Sequence, residues 1–289
     1  MKHQAMFFRQ LDNGNVECFL CSHRCSIAEG NYGQCRQRKN IGGNFYTYAY
    51  GEVVAANIDP IEKKPLYHFM PKTKTFSIAT TGCNFKCGFC QNWQISQAGH
   101  TSSPIGKTLT PEDVVEAAIG SGCASIAYTY TEPTIFFEYS YDIAKLAKGK
   151  GLYNVYVTNG YMSKEALEKI SPHLDAANID LKSFSEKFYR DICKARLQPV
   201  LDTIKRMKSL GIWIEITTLL IPGLNDSRKE LEQIAEFIAG VDKNIPWHIS
   251  RFHPDYKFQD IGYTPIGSME AAMQIGKKAG LMHVHLGNI

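Results

Sequence analysis

From residue 75 onward, short apolar runs rich in β-branched and aromatic residues alternate with longer amphipathic segments, and this alternation restricts the fold more than any other feature. The runs at 75–81, 124–130, 153–158, 176–181, 212–221 and 246–252 predict strands. The segments at 111–121, 134–149, 163–172, 198–210, 227–239 and 267–279 predict the helices between them. Two helix starts have a visible cause, because Thr110-Pro-Glu-Asp113 and Ser227-Arg-Lys-Glu230 read as capping boxes. Gly151, Gly211 and Gly280 stand where helices should stop. Right-handed β-α crossovers in such a series predict an α/β fold, a partial (β/α)6 TIM-like barrel of parallel strands. His283-Val-His-Leu-Gly-Asn-Ile289 reads as a further strand.

The first 43 residues read differently, being polar and glycine-rich around Cys18, Cys21, Cys25 and Cys35. The following Tyr46-Thr-Tyr-Ala-Tyr and Val53-Val-Ala-Ala suggest a hairpin. The expected division is therefore a small cysteine-rich module with its hairpin over 1–70 and the partial barrel over 71–289. At 289 residues and 44% hydrophobic content, the chain can bury a substantial core. Its net charge of +4 is modest and its Lys and Arg residues are scattered, which argues against nucleic acid. No run approaches the ~20 apolar residues of a membrane span, and the start lacks a secretory apolar core, so a cytoplasmic protein without membrane contact is expected.

Seven of the nine cysteines fall in two tight clusters, the pattern of metal ligands rather than of a disulfide framework. Cys83, Cys87 and Cys90 stand at C-x3-C-x2-C spacing directly after the run Thr75-Phe-Ser-Ile-Ala-Thr-Thr81. Three thiolates on a short loop can hold three irons of a [4Fe-4S] cube and leave the fourth open to another ligand, or supply part of a zinc site. Cys18, Cys21, Cys25 and Cys35, at C-x2-C-x3-C-x9-C, are enough for a tetrahedral zinc site or for a second iron–sulfur cluster. His23 lies among them. Cys123 reads as an apolar filler and Cys193 as a buried thiol. The cysteine loop, Glu132, Asn159, Asp180, Lys182 and His253 all fall at the carboxyl ends of predicted strands, where reactive groups gather in β-α folds.

The loop Gly82-Cys-Asn-Phe-Lys-Cys-Gly-Phe-Cys90, with an aromatic before its last cysteine, resembles the signature of the radical S-adenosylmethionine (SAM) superfamily. Further pieces resemble its branch of pyruvate formate-lyase activating enzymes, most closely the radical SAM proteins of the AmmeMemoRadiSam system. They are Cys18-Phe-Leu-Cys-Ser-His-Arg-Cys25, Tyr128-Thr-Tyr-Thr-Glu-Pro-Thr-Ile-Phe-Phe-Glu138, Thr158-Asn-Gly160, Asp180-Leu-Lys182 and Ile221-Pro-Gly-Leu-Asn-Asp226. The resemblance implies an anaerobic oxidoreductase that cleaves SAM at a [4Fe-4S] cluster held by Cys83, Cys87 and Cys90. The resulting 5′-deoxyadenosyl radical would abstract hydrogen from an unidentified protein or small-molecule substrate, a glycyl-radical protein being one candidate. A small-molecule or peptide-modifying enzyme, or an electron-transfer protein, is the alternative.

By the same resemblance, Phe89, Glu132, Asn159, Asp180, Lys182 and His253 would line the SAM pocket. Cys193 would sit near enough to its mouth to serve as a hydrogen donor, and the electron donor would be a flavodoxin or ferredoxin. Two positions depart from the family pattern. Tyr130-Thr131 replace a pair of glycines before Glu132, and Val157 replaces an acidic residue before Thr-Asn-Gly.

Overall fold

A computed structural model describes residues 2–100 and 105–289. Its centre is an eight-stranded sheet whose strands lie in chain order. They are β1 (Ala55–Pro60), β2 (Lys74–Ala79), β3 (Ser125–Tyr128), β4 (Tyr153–Thr158), β5 (Ala176–Asp180), β6 (Trp213–Leu220), β7 (Trp247–Arg251) and β8 (Val284–Gly287). β2 to β8 are parallel throughout, and β1 alone is antiparallel, pairing with β2 from Ala55 opposite Ala79 to Pro60 opposite Lys74. Among the described residues the two end strands, β1 and β8, do not pair, so the sheet stays open.

The crossover helices are α1 (Pro111–Gly120), α2 (Phe137–Gly149), α3 (Lys164–Ile170), α4 (Gln198–Ser209), α5 (Arg228–Val241) and α6 (Ile266–Lys278). The Thr110 box forms as read, with Thr110 Oγ1 accepting from Asp113 N and Asp113 accepting from Thr110 N. The Ser227 box forms by half. Ser227 Oγ accepts from Glu230 N, but the Glu230 carboxylate turns to the Ser183 hydroxyl and the Phe184 N–H, joining α5 to the loop after β5. Among the described residues no helix is long and apolar enough to cross a membrane.

The amino-terminal segment makes two small antiparallel sheets, one of Phe8–Gln10, Val16–Cys18 and Cys25–Ile27, the other of His3–Gln4, Asn44–Thr47 and Arg38–Ile41. The hairpin expected from Tyr46 and Val53 is corrected here. Asn44–Thr47 instead folds back on Arg38–Ile41 through Gly42 and Gly43, whose φ values of 61° and 76° suit a two-residue turn that only glycine enters freely. Val53 pairs with Lys107, and Ala55–Pro60, on the module side of the boundary expected at residue 70, hydrogen-bonds to the barrel sheet.

The module is fastened to the barrel by a buried ion pair. Arg38 Nη2 donates to both Glu138 oxygens at 2.5 and 2.6 Å, its Nη1 donates to Met6 O, and Met6 N donates to Glu138 Oε1. A second tie is backbone to backbone, with Ser22 N donating to Tyr161 O and Ser163 N to Leu20 O.

At the amino ends of β6, β7 and β8 lies a cluster of histidines around one carboxylate. Glu215 is fully buried and accepts from the backbone N–H groups of Tyr67 and His68 and, at 2.6 Å, from His248 Nε2. His68 Nε2 and His285 Nε2 share a hydrogen bond of 2.8 Å. Burial first, and then the neighbouring His248 and His68, lower His285 to about 4, and burial lowers His68. A histidine depressed in the folded state stabilises the fold above its ordinary value near 6.5, and that stability is lost as pH falls toward the folded value. Urea midpoints are therefore expected to drop between pH 7.5 and 5, and His285→Gln to flatten that slope; an unchanged slope would refute the assignment.

Candidate functional site

At the carboxyl rim of the sheet, Cys83, Cys87 and Cys90 line one cleft of about 310 Å³ together with Phe89, Glu132, Asn159, Asp180 and Lys182. The loop that carries the cysteines leaves β2 through Gly82, whose φ of +100° disfavours a side chain and where an added Cβ would lie only 2.7 Å from Gln37 Cγ. Two phenylalanines pin it. Phe85 packs edge-on against Tyr161 and Tyr189, and Phe89 lies between Phe188 and Phe258. The three thiols are free. The Phe85 N–H points at Cys83 Sγ from 3.3 Å, and Ser96 Oγ sits 3.1 Å from Cys90 Sγ.

Burial raises the thiol pKa values of Cys83 and Cys90, and a hydrogen bond to Cys193, with burial after it, raises Cys87. These shifts favour the protonated thiols, and a cluster would displace their protons as it binds. Lys182 is placed to assist. Burial opposes its charge, but Asp180, 2.9 Å from Nζ, raises it well above the ordinary lysine value, and its ammonium in turn lowers Cys87.

Glu132 is 1% exposed, and its carboxylate gathers the ends of β3 and β4. Oε1 accepts from Thr134 N, Thr134 Oγ1 and Thr158 Oγ1, and Oε2 accepts from Asn159 N at 2.8 Å. Burial nonetheless pushes its pKa above the usual carboxylate value. Oε2 keeps room for one more donor from the cleft. The Asn159 side chain donates to Asn84 Oδ1 at 2.7 Å and accepts from Tyr161 N, which fixes it beside Cys83.

Two expected residues stand elsewhere. His253 does not line the cleft; its Nε2 lies 2.8 Å from the amide of Gln91, which does. Cys193 is fully buried behind the cleft, held in a π-helical turn over Tyr189–Cys193 with its thiol against Cys87. A hydrogen donor needs a path to substrate, and this burial denies one to Cys193. Val157, which replaces the family's acidic residue, lines the cleft as an apolar side chain.

Sequence reading missed the wall formed by Tyr130 and Lys64. Tyr130 has φ 62°, the left-handed conformation that glycine favours. Its hydroxyl donates to Asp59 Oδ2 at 2.5 Å, and the ammonium of Lys64 lies 4.4 Å from its ring and 2.7 Å from the same oxygen. Pro60-Ile-Glu-Lys-Lys64 carries no motif that sets it apart from a surface loop; buried Ile61 and Leu66 were the available signal.

Glu132→Gln places an amide donor among groups that donate. It is expected to cost about 1–3 kcal/mol in urea unfolding of the metal-free protein. An unchanged midpoint would show that these hydrogen bonds do not hold the rim.

A model of the radical SAM superfamily matches residues 77–238 of the chain. An uncharacterized protein of Methanocaldococcus jannaschii is 46% identical over 99% of this chain and 85% of its own. A putative glycyl-radical enzyme activating enzyme of the same organism is 30% identical, over 61% of this chain and 66% of that one. Among solved structures, a domain of a pyruvate-formate lyase-activating enzyme from Bacteroides vulgatus superposes with a TM-score of 0.51 at 21% identity, covering 57% of this chain and 99% of that domain.

Proposed function

The chain belongs to the radical SAM superfamily, whose members use a [4Fe-4S] cluster and SAM, and from that premise we propose an enzyme that cleaves SAM reductively and abstracts hydrogen from a substrate. The observation that carries this reading is the convergence of three free thiols, Glu132, Asn159, Asp180 and Lys182 on one cleft. The donor set fits the cofactor, since three thiolates on one loop leave a cube one iron short of full protein ligation.

When bound, a cluster reduced by an external electron donor would supply one electron to the S–C5′ bond of SAM, whose cleavage gives methionine and a 5′-deoxyadenosyl radical. The chain's residues prepare for this. Cys83, Cys87 and Cys90 would hold three of its irons, and the Lys182 ammonium would favour the Cys87 thiolate. Glu132 Oε2 would accept a charge-assisted hydrogen bond from the ammonium of SAM, and the hydrogen bonds it accepts from Thr134, Thr158 and Asn159 hold it in place for that contact. Phe89, buried against Phe188 and Phe258, holds the loop rigid and keeps water from the irons. His253 orients Gln91 at the cleft edge rather than touching SAM.

A glycyl residue of a partner protein is the proposed hydrogen source, supported by the relative named as a putative glycyl-radical enzyme activating enzyme. The electron would come from a flavodoxin or ferredoxin.

Anaerobic reconstitution with iron and sulfide, followed by SAM and dithionite, is expected to yield 5′-deoxyadenosine by chromatography. Cys87→Ala should yield none, and Glu132→Ala should bind SAM at least about tenfold more weakly, a loss near 1.4 kcal/mol. Absence of product from protein with a verified cluster and bound SAM would sink the proposal.

A further inference from the structure

The second cysteine group has a geometry of its own. Cys18 and Cys25 face each other across an antiparallel strand pair, and Cys21 lies in the turn between them. Cys35 comes in from the segment before Arg38–Ile41. All four thiols are free, and together they line a small cavity of about 20 Å³ with Leu20, Ile27 and Ile135 as apolar walls.

Size and charge decide what this cavity takes. A void of about 10–15 Å³ holds one water-sized sphere, so the space among these thiols is that of one ion. A cube of four irons and four sulfides needs several times more. Four thiolates around a divalent ion carry a net charge of about −2, and a buried site of that charge needs a cation and donors. Arg38, itself buried, lines the same cavity, and its Nε–H is buried with no partner among the described residues. Asn84 also lines the cavity, and its Nδ2 is a second buried donor without a partner.

We infer that Cys18, Cys21, Cys25 and Cys35 bind a single tetrahedral divalent ion, zinc, and that this ion braces the loop carrying Cys83. Binding exchanges four thiol protons for one Zn²⁺, with the protons released to solvent and no change of oxidation state. Among the described residues no three possible ligands already stand around a point that could hold a metal ion, so binding requires the four thiols to draw together around it. Arg38 Nε and Asn84 Nδ2 then donate to the thiolates.

The link to the cleft runs through Asn84, the residue after Cys83. His23 Nε2 contacts Asn84 O at 2.8 Å, and Asn84 Oδ1 accepts from Asn159. The ion thus fixes the base on which Cys83 and Asn159 stand. The inference does not rest on SAM chemistry.

The test is a metal count on the chain with Cys83→Ala, Cys87→Ala and Cys90→Ala combined, which leaves this site untouched. One zinc per chain and no iron or sulfide is expected by mass spectrometry. Iron with sulfide, giving an EPR signal after dithionite, overturns the inference in favour of an electron relay, and so does metal-free folded protein. In the otherwise unchanged chain, Cys21→Ser is expected to lose the zinc, lower Tm and reduce the iron bound on reconstitution; retention of full zinc would also overturn it.

Discussion

Arg38 and Glu138 are 100 residues apart and each 1% exposed, and their contact determines where the amino-terminal module sits on the barrel. Burying two charges costs several kcal/mol per ion before any attraction is counted. Here the cost is offset by fork-on-carboxylate geometry and by Met6, whose N–H donates to Glu138 and whose carbonyl accepts from Arg38 Nη1, although Arg38 Nε keeps no partner among the described residues. The pair is therefore better understood as fixing position than as a large net source of stability. What it positions matters. The module's Leu20–Ser22 turn is hydrogen-bonded to the Tyr161–Ser163 segment, and the same loop carries Asn159 to the edge of the cysteine site.

The rim of the sheet shows why a parallel fold suits this chemistry. All strands from β2 to β8 point the same way, so Cys83, Glu132, Asn159 and Asp180 arrive from four successive strand ends without any long loop. Glu132 converts that arrangement into a fixed geometry. Its four accepted hydrogen bonds tie the turn after β3 to the end of β4, so any movement of one strand end is felt by its neighbour. A buried carboxylate that spends most of its lone pairs on the scaffold is rigid, and rigidity is what a single remaining acceptor position needs to be directional.

Local signals carried much of this in the sequence. The seven parallel strands and six helices follow from apolar runs, caps and glycine stops, and the carboxyl-end placement of Cys83, Glu132, Asn159 and Asp180 follows from that order. Non-local pairing was not legible. Ala55–Pro60 alternates poorly and ends in proline, which suits an edge strand but predicts none. Glu230 satisfies the spacing of a capping box, yet its carboxylate turned to Ser183, a choice made by tertiary packing. Nothing near Arg38 in the sequence announces Glu138. Cys193 and His253 fall near the strand ends, but a strand-end position does not say whether a side chain reaches the cleft, and each instead contacts a residue that lines it, Cys87 and Gln91.

Tyr130 illustrates how a bulky side chain can be held in a conformation that glycine favours. A non-glycine residue in the left-handed region costs roughly 1–2 kcal/mol, and glycine would avoid that cost. The tyrosine side chain offsets it with contacts a glycine cannot make, to Asp59, Asn57 and Lys64, while Asn92 from the cysteine loop holds its carbonyl. Asp59 belongs to β1 and Lys64 follows it, so the antiparallel strand added at the sheet edge is what makes this substitution tolerable. In return the cleft gains a buried ammonium on the wall lined by Tyr130, held in place by an aspartate that is kept well below its ordinary pKa, near 2, against burial by Lys64 and Tyr130. Edge strand, strained tyrosine and buried lysine are one unit, and each lacks a physical reason without the other two.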